Sequence, residues 1–330
     1  MAELSPGLIT VLLLILGAEF VNGWTDAPNA IATVVSTRVM RPWRAVLMAT
    51  LLNIAGAMSG KAVAATIGKE IIRTESIDLA TVAAAMVGII FWSTLAWRFG
   101  LPTSESHALV AGLAGAGLAT AGPSVLLWVG WKKVLIGLLF STFLGFFGGY
   151  IIVMVIRRLF RTSTPGRVKT LFNRLQLVSA AVMAFSHGSN DGQKFIGAFT
   201  LALLLGGVIG EFVVSLPVIV LCSVVMGLGT SVGGYRIIRT MGIRMVKLES
   251  YQGFAAEAGA GAAIEMASRL AIPLSTTHTI NTAIMGVGAS KRFSAVRWGV
   301  VGEVVTAWIL TFPVCGAIGF GVALAFKHLR

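Results

Sequence analysis

Apolar runs of bilayer-spanning length recur along the 330-residue chain; a helix needs about 20 such residues to cross the hydrocarbon core. Pro6 to Phe20, Trp43 to Gly60, Leu79 to Trp97, Val134 to Ile156, Phe212 to Gly229, Phe254 to Leu270 and Trp298 to Phe326 read as spans. Two runs are interrupted by polar residues: Asn22-Gly-Trp-Thr-Asp-Ala-Pro-Asn29, and Ser186 to Lys194 inside the run Leu175 to Gly207. Pro28 removes a backbone donor, and Gly188 and Gly192 bracket Asp191, so both helices are expected to break there. Lipid cannot satisfy freed backbone groups, so each break should line a protein cavity. Two further segments, after Leu101-Pro-Thr-Ser-Glu-Ser-His107 and Ile272-Pro-Leu-Ser-Thr-Thr-His278, are short and rich in small residues. They suit re-entrant or buried hairpins, although periodicity leaves full crossings open.

Composition supports this pattern. The chain is 56% hydrophobic and 12% charged, against about 25% charged in soluble domains; mean hydropathy is +0.87. The class is an all-α integral membrane protein with about ten or more membrane elements. The net charge of +13 is read as basic loops on the cytoplasmic face of the plasma membrane, not as a nucleic-acid surface. Those loops are 38–44, 157–174 and 236–247, with Lys132 and Lys133 fitting less well. Cys222 and Cys315 sit in apolar runs and imply no disulfide framework. Met1 to Pro6 lacks the basic start of a signal peptide, so the first run is expected to be retained. No nucleotide loop, zinc cluster or flavin motif occurs, so no cofactor and no enzyme are expected.

The chain also repeats itself. Asn22-Gly-Trp-Thr-Asp26 matches His187-Gly-Ser-Asn-Asp191, and the Pro102 segment matches the Pro273 segment in the same order. The basic loop follows the first element in one half (Arg38 to Arg44) and the second element in the other (Arg236 to Lys247). The copies therefore present opposite loops to the positive side, as inverted repeats do. The expected division is a first repeat at 1–156, a basic linker at 157–174 and a second repeat at 175–330.

The polar groups suggest two kinds of site. Asp26, Asp191 and the amide of Asn29 offer hard oxygen ligands for Na⁺ or acceptors for H⁺; helix capping is the plainer alternative. Ser104, Ser106, Ser275, Thr276 and Thr277 lie where a proline precedes a helix start. That arrangement favours an anion, again with simple capping as the alternative. His107 and His278 occupy equivalent places and could bond substrate, a proton or a backbone carbonyl. Cation and anion groups on inverted repeats point to a cation-coupled anion symporter working by alternating access. An intramembrane hydrolase would need Ser186, His187 and Asp191 in mutual contact, and a channel would need no coupling cation.

The paired Gly-x-x-Asp stretches, Phe185-Ser-His-Gly-Ser-Asn-Asp-Gly-Gln-Lys194 and the two Pro-x-Ser-x-Ser/Thr-His segments resemble the inorganic phosphate transporter (PiT) family over essentially the whole chain. The resemblance implies symport of inorganic phosphate with H⁺ or Na⁺, with a sulfate symporter of the same fold as the alternative. It places Asp26, Asn29, Asn190 and Asp191 near the cation. It places Ser104, Ser106, Gln193, Ser275, Thr276 and Thr277 around phosphate, with Asn22, His107, His187 and His278 in support. Three departures from the family pattern stand out: Thr25 in place of Asn, Glu105 where Thr is common, and Lys194 where the first copy has Asn29. Lys194 could stand in for a second Na⁺ or bond phosphate, and Glu105 could tune the coupling. Together they favour H⁺ over a two-sodium arrangement. A homodimer is left open by the sequence.

Overall fold

The computed structural model describes residues 5–329; the first four residues of the signal-peptide argument lie outside them. Twelve α-helices account for the described fold: α1 Pro6–Ser36, α2 Pro42–Ala57, α3 Ala62–Lys69, α4 Leu79–Phe99, α5 Glu105–Ala121, α6 Trp128–Leu159, α7 Pro165–Leu205, α8 Leu216–Val232, α9 Tyr235–Arg239, α10 Ser250–Arg269, α11 Thr276–Lys291 and α12 Trp298–His328. A π turn, Thr240–Met245, continues α9. Helices α1, α4, α6 and α12 are each long and apolar enough to cross a bilayer. Two bent pairs add to these: α2 with α3, bent by 69°, and α8 with α9 and its π turn, bent by 58°.

Close backbone contacts fix the helix directions. Asn53, Ala57 and Ala64 meet Gly188, Gly192 and Gly197 in rising order, so α2 with α3 runs parallel to α7. Val46 meets Gly233 and Ile54 meets Gly227, so α2 and α8 are antiparallel. Met226 lies on Gly23, and Pro28 lies on Gly234, so α1 and α8 are parallel. It follows that α1 and α7 run in opposite directions. Gly17 on Ile90 and Trp24 on Trp97 align α4 with α1. Gln176 on Gly253 and Ser189 on Glu265 align α10 with α7. The hairpins α4–α5 and α10–α11 therefore enter from opposite faces, and the halves are inverted repeats. The closing helix of each half packs on the other half's hairpin: α6 on α11 through Gly145 and Thr282, and α12 on α5 through Gly316 and Gly115.

The expected breaks are elsewhere. Helix α1 passes uninterrupted through Asn22 to Asn29, and α7 through His187 to Gln193. Pro28 is accommodated because Gly234 lies against its ring and the Trp24 carbonyl. Gly188 and Gly192 serve close approach rather than interruption. A Cβ on Gly188 would lie 2.2 Å from the Asn53 carbonyl oxygen, and one on Gly192 would lie 2.4 Å from the Ala57 methyl. Backbone interruptions occur instead between α2 and α3, at Gly233 and Gly234 (φ +89° and +47°), and at the two hairpin tips. Those tips carry matching left-handed residues, Gly100 (φ +69°) and Ala271 (φ +56°). The segments at Pro102 and Pro273 are thus hairpin turns, which the sequence left undecided.

The stretch 157–174 is mostly helical; only 160–164 separate α6 from α7. The three basic stretches share one face, tied by Thr37 Oγ1 to Gln176 Oε1 (2.9 Å) and by Gly242 against Ala32 and Ser36. Lys133 pairs with Glu70 at 2.7 Å, so the dissenting Lys132-Lys133 charge is partly balanced.

Because these crossings need bare backbone, Gly56→Ala should lower the stability by about 1–3 kcal/mol, since its Cβ would sit 2.0 Å from the Phe185 carbonyl oxygen. Gly166→Ala, with open space around it, should leave the melting temperature in detergent unchanged.

Candidate functional site

The centre of the molecule lies where α1, α7 and the two hairpin tips meet. Lys194 is buried there at 1% exposure. Its ammonium donates to Asp191 Oδ1, to Ser106 Oγ and to the Leu274 carbonyl at 2.9 Å. The three acceptors come from α7 itself, the first hairpin and the second hairpin. Asp191 Oδ2 accepts from Thr276 Oγ1 at 2.6 Å, and His187 Nε2 lies 3.2 Å from it. Across the centre, Thr277 Oγ1 donates to Asp26 (3.3 Å) and accepts from Asn29 Nδ2 (2.9 Å). Glu105 accepts from Thr25 Oγ1 (2.9 Å) and Ser93 Oγ (2.6 Å).

Local sequence explains the placement. The i, i+3 spacing of Asp191 and Lys194 puts both on one face of α7. Ser104 and Ser275 cap α5 and α11, accepting from the His107 and His278 backbone N–H at 3.3 and 3.1 Å. The residues just after each cap are therefore presented at helix N-termini, where backbone N–H groups favour negative charge: Glu105 and Ser106 on one hairpin, Thr276 and Thr277 on the other. Both aspartates lie on continuous helices, yet ligand atoms of Asp26, His187 and Asp191 fall within 4.8 Å of one another, close enough to hold an ion.

Other expected residues take different places. Gln193 turns away from Lys194; its Oε1 accepts from the Val63 N–H at 3.1 Å. Asn190 braces the second hairpin through Ser268 Oγ (2.9 Å) and the Ile272 carbonyl (3.3 Å). Asn22 donates to Glu19 Oε2 at 2.9 Å. His107 and His278 do not bond backbone carbonyls through their rings. They meet edge to face at 4.6 Å, and His278 stacks on Trp308 at 3.8 Å. Ser186, His187 and Asp191 do not form a nucleophile–base–acid set, because His187 lies between Asp191 and Asn53 Oδ1 (3.2 Å).

Two acids were missed as functional groups. Glu19 is fully buried beside the centre, within Coulombic reach of Asp191, Lys194 and Glu105. Glu257 joins three helices: it accepts from Thr33 Oγ1 (2.5 Å), Gln176 Nε2 (3.2 Å) and Ser179 Oγ. An acid inside an apolar run is itself a signal of this kind, and both could have been flagged on that ground.

A helical membrane protein with inverted repeats, two helical hairpins and a charged centre where their tips meet has the architecture of a secondary transporter. The chain belongs to the phosphate transporter family, whose model matches residues 22–319. It is 43% identical over 315 residues to a probable low-affinity inorganic phosphate transporter of Rhizobium meliloti (strain 1021), covering 95% of this chain and 94% of that protein. It is 36% identical over 318 residues to one of Bacillus subtilis (strain 168), covering 94% and 95%. A solved structure titled the sodium-dependent phosphate transporter superposes with a TM-score of 0.90 at 23% identity, covering 99% of this chain and 100% of that one. At that identity the likeness is one of fold. The protein is a multi-pass membrane protein and not an enzyme.

Removing one member of a buried ion pair strands the other. Lys194→Met should therefore cost roughly 3–5 kcal/mol, read as a fall in melting temperature. Lys194→Met with Asp191→Asn should recover most of that loss.

Proposed function

We propose that this protein carries inorganic phosphate across the plasma membrane by symport, with H⁺ as the coupling ion and alternating access as the mechanism. The basic stretches 38–44, 157–174 and 236–247 lie on the cytoplasmic side, and the repeats divide between α6 and α7. One observation carries the coupling: four buried carboxylates, Glu19, Asp26, Glu105 and Asp191, surround a single lysine. A buried charge needs a partner, and one ammonium cannot balance four carboxylates. A phosphate anion would enlarge the deficit. Cations must therefore enter with it, and protons on the carboxylates supply them without new ligands.

Phosphate is held by Ser106, Thr276 and Thr277 and by the ammonium of Lys194, with Ser104 and Ser275 setting the hairpin tips. Gln193 guards an approach from the other side of α7. Asp26, Asn29, Asp191 and Glu105 take up the coupling cation. On arrival phosphate draws Lys194 away from Asp191, and the freed carboxylate takes a proton. A second reading uses Na⁺ between Asp26 and Asp191, favoured by the close approach of their oxygens. Phosphate is preferred to sulfate as substrate because it can keep a proton and donate to the buried carboxylates, which fully ionised sulfate cannot.

Uptake of labelled phosphate into proteoliposomes, with Na⁺ and pH varied independently, should follow the proton gradient and not Na⁺; excess sulfate should not compete. Strict Na⁺ dependence at constant pH would transfer the role to sodium. Asp191→Asn should lower the uptake rate roughly a hundred-fold in folded protein. Glu105→Thr should shift the pH profile of uptake, and an unchanged profile would remove Glu105 from the coupling set.

A further inference from the structure

The inverted repeats create two cavities, one at each hairpin tip, and the two are not alike. The tip of α10–α11 borders a cavity of about 260 Å³ lined by Gly60, Ser189, Gln193, Ser268 and Arg269. It reaches α7 one residue from Lys194. The tip of α4–α5, on the opposite face, borders a cavity of about 330 Å³ lined by Arg98, Gly100, Arg236, Arg239, Thr240 and Arg244. The motif matches pair Ser189 with Trp24 and Ser268 with Trp97. Where the second half has two serines bonded at 3.3 Å, the first half has two tryptophans with ring centroids 4.3 Å apart. Arg236 lies over Trp97, its guanidinium carbon 4.7 Å from the ring centroid. The tryptophan pair thus adjoins the arginine cavity through Arg236, which belongs to both.

We propose that the arginine cavity is a second oxyanion site, for inorganic phosphate, at the far end of the transport route and separated from the central site by Trp24 and Trp97. The inference rests on the transport function proposed above. Four arginines line a space of about 330 Å³, ample for a phosphate, and arginine's planar fork matches phosphate oxygens. Among the described residues only Arg244 of the four has a carboxylate partner, Glu303 at 3.4 Å. Arg236 donates to the Arg98 carbonyl at 2.7 Å, and Thr240 Oγ1 donates to the Gly100 carbonyl at 2.7 Å. Those bonds tie the cavity wall to the turn that leads into Ser104. Phosphate leaving the centre would meet this site once the tryptophans part, and phosphate entering from this face would meet it first.

The test compares phosphate transport from the two faces. Membrane vesicles of both orientations carry the native chain or Arg98→Gln with Arg239→Gln. Sidedness is assigned by labelling Arg239→Cys with an impermeant maleimide, since Cys222 and Cys315 are buried. KM for phosphate offered to the arginine face should rise about ten-fold in the double variant, and KM from the other face should stay as it was. An equal rise from both faces, or no rise, overturns the proposal. The same phosphate chemistry could come from a lipid headgroup. An effect that vanishes in phosphatidylcholine proteoliposomes and returns with phosphatidylglycerol assigns the arginines to lipid and also overturns it. If the native chain moves no phosphate, the transport reading fails by itself. Labelled phosphate binding to purified protein then decides the cavity: one site fewer in the double variant supports it, and an equal number sinks it.

Discussion

The structure depends on one buried cation. Lys194 is held by groups from three segments that are remote in sequence: Asp191 on its own helix, Ser106 on one hairpin and the Leu274 carbonyl on the other. An ammonium in a low-dielectric interior needs such partners. Its contacts therefore hold both hairpin tips against α7. The arrangement also makes the centre responsive. An anion competing for Lys194 would weaken the same contacts that hold the hairpin tips.

Around that cation the two halves differ in chemistry while agreeing in geometry. The caps Ser104 and Ser275 match, as do the left-handed residues Gly100 and Ala271. The following positions do not: Glu105 bonds Thr25 and Ser93, while its counterpart Thr276 bonds Asp191. One hairpin thus brings an acid to the centre and the other brings hydroxyls. An evenly built dyad would give two equal sites. This one gives a single site with an acidic side and a hydroxyl side.

Much of this was legible from residue types. Acids inside apolar runs, and a proline followed by Ser-x-Ser/Thr-His in duplicate, pointed to the meeting of Asp26, Asp191, Ser106, Thr276 and Thr277. The inversion was legible in the basic loops. What the sequence misrepresented was the backbone. Gly188, Gly192 and Pro28 look like breakers, but tertiary contacts decide their use: the glycines admit neighbouring helices, and Gly234 makes room for Pro28. Side-chain direction was also out of reach. Gln193 and Lys194 are adjacent, yet helical geometry points them to different neighbours, so Gln193 faces Val63 while Lys194 faces the hairpins. The ring pair His107–His278 was illegible for the same reason, since it forms only where the two halves touch.

The crossed-over packing of α6 on α11 and of α12 on α5 has a consequence for assembly. The first hairpin is synthesised early, but the helix that covers it emerges only after the whole second hairpin. Neither half, cut from the other, would keep its own hairpin enclosed. The two copies are interlocked, so the unit that repeats in sequence is not a separable piece of structure.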